Sequence, residues 1–249
     1  MRPAETETSL QSLSADRPPV TLLQHLEELR RRIGISLAVV AVFSCVSFGF
    51  VGSLIEWLKR PAGSLLPRLA FFSPTEALVA SIKVSVVAGT ILSLPLLLYE
   101  VWAFVRPALK EPERWYGVLL IWWGTALFVL GAAMAYGLLL PVCLRFLLGF
   151  GGPSLEPVIS INRYLGFVLS IILVCGILFQ LPLVTFVMTR LGVVTPQRLR
   201  RSRRVALLIM VIVAAVATPT TDALNMLLMA VPMALLYELS IGIAAWSSR

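Results

Sequence analysis

The chain has 249 residues, of which 58% are apolar and 14% charged, with a formal net charge of +8. A soluble domain carries about 25% charged residues, so a water-soluble fold is excluded: much of this apolar surface has to be covered by lipid. The positive charge lies in short clusters between apolar runs, which points to membrane topology rather than to nucleic acid, and no nucleic-acid partner is expected.

Residues 1–19, rich in Thr, Ser, Glu and Pro, contain no apolar core and no basic start, so they read as a disordered cytoplasmic tail rather than a cleavable signal peptide. Residues 20–249 read as a single transmembrane domain. Thr21 followed by Gln24 has the pattern of a capping box, and Leu22, Leu26, Leu29 and Ile33 recur at helical spacing opposite Glu27, Glu28, Arg30, Arg31 and Arg32. This amphipathic turn leads into a first predicted span over residues 33–54. Residues 56–74, with Lys59, Arg60, Pro61, Gly63 and Pro67, are predicted to form an outer loop with short helical pieces.

The second predicted span, residues 75–104, is polar for its position, carrying Ser81, Lys83, Ser85, Ser93 and Glu100, and Pro95 should kink or weaken it. An inner loop, 105–114, holds Arg106, Pro107, Lys110, Glu111, Pro112, Glu113 and Arg114. The third span is predicted over 115–140, an outer loop over 141–161, and the fourth span over 162–191 with Gln180 and Pro182 inside it. Arg190, Arg198, Arg200, Arg201, Arg203 and Arg204 then form the strongest basic cluster. Residues 205–217 are thirteen apolar residues without interruption, roughly 20 Å of helix against a hydrocarbon core of about 30 Å. A turn at 218–222 leads to a sixth segment, 223–246, containing Pro232 and Glu238. The expected fold is therefore all-α, with six transmembrane helices of which the last two are short. Fifteen basic residues fall on one side of these spans and five on the other, which places both termini in the cytoplasm.

Several strings carry a resemblance. His25-Leu26-Glu27-Glu28-Leu29-Arg30 precedes the first span, and Ser73-Pro74-Thr75-Glu76-Ala77 opens the second. Residues 95–104 (PLLLYEVWAF) close the second span, followed by Pro107-Ala108-Leu109 and Glu113-Arg114. Phe179-Gln180-Leu181-Pro182 lies in the fourth span, Thr218-Pro219 with Asp222 in the last turn, and Val231-Pro232-Met233 in the sixth. In this order the chain resembles the TatC family, the multispanning subunit of the twin-arginine protein translocase, over about residues 22–246.

The resemblance implies a receptor for folded export cargo whose signal peptide bears paired arginines. It implies TatA-type and TatB-type single-span partners, an oligomeric translocase in the cytoplasmic membrane, and transport driven by the proton gradient. No enzyme activity, cofactor or metal is expected. Glu28 and Glu113 match the family's two carboxylates that meet the arginine pair; a carboxylate accepts two parallel N–H bonds from a guanidinium, a fork that lysine cannot reproduce. His25, Arg30, Phe104 and Pro107 match further positions on the same face. For Glu28 the plain alternative is an i,i+4 surface pair with Arg32, worth a few tenths of a kcal/mol; for Glu113 it is a solvated loop charge. Gln180 stands where the family usually has Glu, and a neutral amide cannot carry a proton. It could meet a polar group on a partner's helix or hydrogen-bond within the protein. Glu100 stands where Gln is commoner, and could snorkel, pair with a nearby Arg or add negative charge to the peptide site. Pro95 and Pro182 are read as structural, and Asp222 as a cap for the sixth helix.

Two other classes fit the sequence less well. A solute transporter could use helices broken at Pro95 and Pro182, but the charge lies in the loops rather than at the midplane. A membrane protease lacks its pair of histidines, since His25 is the only one, and no Gly-x-Ser-x-Gly is present.

Overall fold

The computed structural model describes residues 22–65, 69–106, 117–149, 158–217 and 223–247. Among these the chain is predominantly helical, with no strand beyond an isolated bridge between Ala70 and Ser160. The order is α1 (Leu22–Phe48), α2 (Val51–Lys59) with a 3-10 turn (Arg60–Leu65), α3 (Pro74–Val105) and α4 (Gly117–Met134), which runs through a π turn (Ala135–Leu139) into α5 (Leu140–Gly149). It continues with α6 (Ile161–Leu178), α7 (Leu181–Arg190), α8 (Pro196–Arg201), α9 (Arg203–Ala217) and α10 (Ala223–Ser247). Among the described residues, four stretches are long and apolar enough to cross a membrane: Leu26–Phe48, Pro74–Val105, Gly117–Gly149 and Ile161–Arg190, while Ala230–Ala245 is a shorter apolar helix. The expected tail at 1–19, and the cap residues Thr21 and Asp222, lie outside the described residues.

Three boundaries differ from the sequence reading, each for a local reason. The first long helix ends at Phe48 rather than near residue 54: Gly49 and Phe50 turn the chain with their N–H groups on the carbonyls of Val46 and Ser47, and α2 begins at Val51. The predicted outer loop at 141–161 begins later, because helix continues through Pro141 to Gly149. A proline clashes with the carbonyl four residues back, here Gly137, and that residue sits in the widened π turn whose exit is the Leu140 N–H bonded to the Ala135 carbonyl. In the fourth span, helix stops at Leu178 and restarts at Leu181. Pro182 would clash with Leu178 in a continuous helix, but a proline in the first turn of a new one is tolerated. Pro95, by contrast, lies inside α3 without ending it.

Packing ranks the helices. Only 6% of the apolar window of α1 is buried, against 44% for the window spanning α6 and α7. Leu165, Val168, Ile171 and Ile172 of α6 lie in the main core, with Val84 of α3, Leu139, Leu140 and Leu144 around the π turn, and Met210, Ala214 and Met233 of the last two helices. α1 packs chiefly along α3, antiparallel to it, and α10 packs on α7 and α9. Polar tethers hold α2 onto this core. The Tyr164 hydroxyl donates to the Leu58 carbonyl at 2.9 Å in a buried position, and the Tyr136 hydroxyl donates to the Trp57 carbonyl at 2.7 Å while the two rings stack with centroids 4.0 Å apart. Removing a donor from a buried carbonyl leaves it unsatisfied, at a cost of about 1–3 kcal/mol. Tyr164→Phe is thus expected to lower the thermal midpoint of the purified protein while keeping its helical circular dichroism.

Candidate functional site: the charged end of the α1–α3 pair

Antiparallel packing of α1 on α3 sets Ser44 against Gly89 and, farther along, Arg32 against Glu100. At this end one guanidinium joins two carboxylates. Arg32 donates to Oε1 of Glu28 from Nε at 3.0 Å and from Nη2 at 2.6 Å, and from Nη1 to Oε2 of Glu100 at 2.9 Å. The side chains keep 23% (Arg32), 33% (Glu28) and 14% (Glu100) of their exposure, so the trio is shielded but reachable. The i,i+4 pair expected for Glu28 therefore exists, and Glu100 takes the second of its three expected options, pairing with an arginine. What sequence spacing could not supply is that both use the same arginine.

Arg30 is exposed on the same helix, and Phe104, one turn beyond Glu100, is half-buried. Trp102 of the same turn lies over Gly117 at the start of α4, so tightly that a Cβ there would meet its indole. Glu113 and Pro107 lie outside the described residues, as does the side chain of His25. The structure thus brings Glu28, Arg32 and Glu100 together.

Gln180 occupies the break between α6 and α7. Its Nε2 donates to the Gly124 carbonyl of α4 at 2.9 Å, the internal helix–helix bond that was one of its two readings. Its Oε1 is buried with no hydrogen-bond partner.

Other ionisable groups act as links. Lys83 donates to Asn162 Oδ1 at 2.9 Å, joining α3 to α6, and Arg203 pairs with Glu238 at 2.7 Å, joining α9 to α10. Glu76 was not singled out from sequence. It accepts from the Ser160 hydroxyl and from the Phe72 N–H, beside the backbone bonds Ala70 to Ile159 and Ile161 to Ala70. The Ser73-Pro74-Thr75-Glu76 string has the spacing of a capping box and could have marked it. A cavity of about 670 Å³ lies between α1, α2, α3, α4 and α6, and is lined by Phe50, Trp57, Val84, Ala88, Tyr136 and Ile172 among others. It is apolar and away from the charged trio. Among the described residues no three His, Cys, Asp or Glu side chains cluster as metal ligands.

Comparison with known proteins fits this architecture. Residues 24–232 match the family model described as "Sec-independent protein translocase protein (TatC)". The TatC of Carboxydothermus hydrogenoformans is 37% identical over 91% of this chain and 93% of its own length, and that of Aquifex aeolicus is 38% identical over 92% and 96%. A crystal structure described as the twin-arginine translocase receptor TatC superposes with a TM-score of 0.82 at 37% identity, covering 90% of this chain and all of that one. A second, of the same receptor in DDM, gives 0.81 at 38% identity. A family match across most of the chain, and an all-helical fold with long apolar helices, converge: this chain belongs to the TatC family, a multi-pass membrane component of the Sec-independent protein translocase and not an enzyme.

Proposed function

We propose that this chain is the receptor of the translocase, binding the paired arginines of signal peptides on folded cargo through Glu28 and Glu113 at the cytoplasmic face. The observation that carries the reading is the family match over residues 24–232, together with Glu28 standing partly exposed on α1, where a ligand guanidinium can reach it. The likeness to a crystal structure described as a twin-arginine translocase receptor supports the same conclusion. His25, Arg30, Phe104 and Pro107 complete the binding face in this proposal, with Arg30 also available to lipid phosphate.

The chain crosses the cytoplasmic membrane six times with both termini inside, α9 and α10 forming a short hairpin that is shielded by the other helices or met by a thinner bilayer. α9 has 15 residues, about 22 Å at 1.5 Å per residue. TatA-type and TatB-type single-span proteins are its partners in an oligomeric translocase energised by the proton gradient. Gln180 is a contact for a partner's helix, its unpaired Oε1 available to a donor once helices rearrange; being neutral, it relays no proton.

The test is photocrosslinking to the full chain in lipid nanodiscs. A signal-type peptide with a photoreactive residue next to its two arginines should mark the segment around Glu28, and a peptide with two lysines should mark it far less. Equal labelling by both peptides would remove the basis for the proposal.

A further inference from the structure

The charged trio holds one feature that receptor function does not require. A carboxylate proposed to grip a ligand guanidinium is already engaged by a guanidinium from its own chain, and a second carboxylate, 68 residues from that arginine in sequence, holds the other side of the same group. We propose that Arg32 is an internal stand-in for the signal arginine: it fills Glu28 in the empty receptor, and Glu100 retains it when peptide takes Glu28. This rests on the assignment of Glu28 to the peptide site.

The geometry supports such an exchange in three ways. Both bonds from Arg32 to Glu28 end on a single oxygen, Oε1, whereas an ionised carboxylate offers about four acceptor sites on two oxygens. An incoming guanidinium can therefore begin on Oε2 before Arg32 leaves. Next, Glu100 is the most shielded of the three side chains and holds a different nitrogen, Nη1, so Arg32 stays compensated as it swings off Glu28. Stranding an unpaired charge in a shielded site is the step that would otherwise oppose exchange. Finally, the trio carries a net charge of −1, from two carboxylates and one guanidinium, and one ligand arginine neutralises it.

The consequence is a threshold on affinity. A ligand has to displace a guanidinium that already gives Glu28 two N–H bonds, which lowers the apparent affinity of every ligand by the same factor. An arginine, which can form the planar two-oxygen fork that an ammonium cannot, still binds at concentrations where the weaker lysine contact falls below that threshold.

The experiment measures binding of a fluorescent twin-arginine peptide, and of its twin-lysine counterpart, to the full-length chain in nanodiscs. Arg32→Gln should tighten binding of the arginine peptide by about fivefold, the upper scale of a partly exposed ion pair. It should tighten the lysine peptide by a similar factor, because an internal competitor lowers the apparent affinity of both ligands alike. Arg32→Lys, which keeps the charge and removes the fork, should fall between wild type and Arg32→Gln, and serves if the glutamine variant does not fold. Glu100→Gln leaves Arg32 on Glu28 alone and should weaken peptide binding, a loss that shrinks in an Arg32→Gln background. If Arg32→Gln and Arg32→Lys weaken binding or leave it unchanged, Arg32 is only a prop for α1 and the proposal is overturned. Undiminished binding by Glu28→Gln is a different result: it removes Glu28 from the peptide site and with it the receptor assignment itself.

Discussion

A chain carrying Glu28→Gln together with Glu113→Gln should lose binding and crosslinking of a twin-arginine peptide while still folding. An amide in place of a carboxylate keeps one acceptor oxygen, turns an NH₂ donor toward the ligand's donors and removes the charge. Hydrogen bonds to charged groups contribute about 1.5–3 kcal/mol each, so losing two such sites costs binding on the order of a hundredfold or more. The fold should survive because α1 is held along α3 by packing well beyond Glu28, and Arg32 keeps Glu100 as a partner. Peptide titration and helical circular dichroism on the same sample check both halves. Undiminished binding by the double variant would refute the assignment of these carboxylates.

Gly89→Leu should be the most damaging single change at the α1–α3 contact. A Cβ at Gly89 would stand 2.5 Å from the Ser44 backbone nitrogen and 2.6 Å from its Cα. A side chain could turn aside, but here the obstacle is backbone, so the helices themselves must separate. Overpacking typically costs about 1–3 kcal/mol and occasionally more, and a backbone obstacle belongs at the upper end. With only 6% of its apolar window buried, α1 has little other packing to fall back on. We expect a large drop in thermal midpoint and in monodisperse yield in detergent. Gly34→Ala is the control: nothing lies within 4 Å of its Cβ position, and replacing glycine inside a helix favours folding by about 0.5–1 kcal/mol. If Gly89→Leu were as stable as Gly34→Ala, the close approach of α1 and α3 would be wrong. The same separation would pull Arg32 from Glu100, so a Gly89→Leu protein that still folds should also show altered peptide affinity.

Local pattern carried far because each membrane helix satisfies its own backbone hydrogen bonds. An apolar run long enough for the bilayer is therefore nearly sufficient to specify a helix, and α3 runs from Pro74 to Val105 where residues 75–104 were expected. α9, Arg203–Ala217, and α10, Ala223–Ser247, likewise lie within a few residues of their predicted bounds. The ordered strings from His25 to Met233 also made the family legible before any coordinates. Boundaries set by turn geometry were less readable: the break at Gly49, and the passage of helix through Pro141, depend on a turn and a π step that apolar periodicity does not encode.

Sequence by itself determined that this is a helical membrane protein and where most of its long helices lie, since both depend on residues near one another in the chain, while Glu28 came under suspicion only through the family resemblance. Only the tertiary structure decided what those residues touch. Arg32 reaches Glu100 across 68 positions, Glu76 reaches Ser160 across 84, Tyr164 reaches Leu58 across 106, and Gln180 gives its nitrogen to Gly124 while its oxygen stays buried and unpaired. Such contacts depend on the rotation and depth of one helix against another, which side-chain packing fixes and a sequence-local period leaves free.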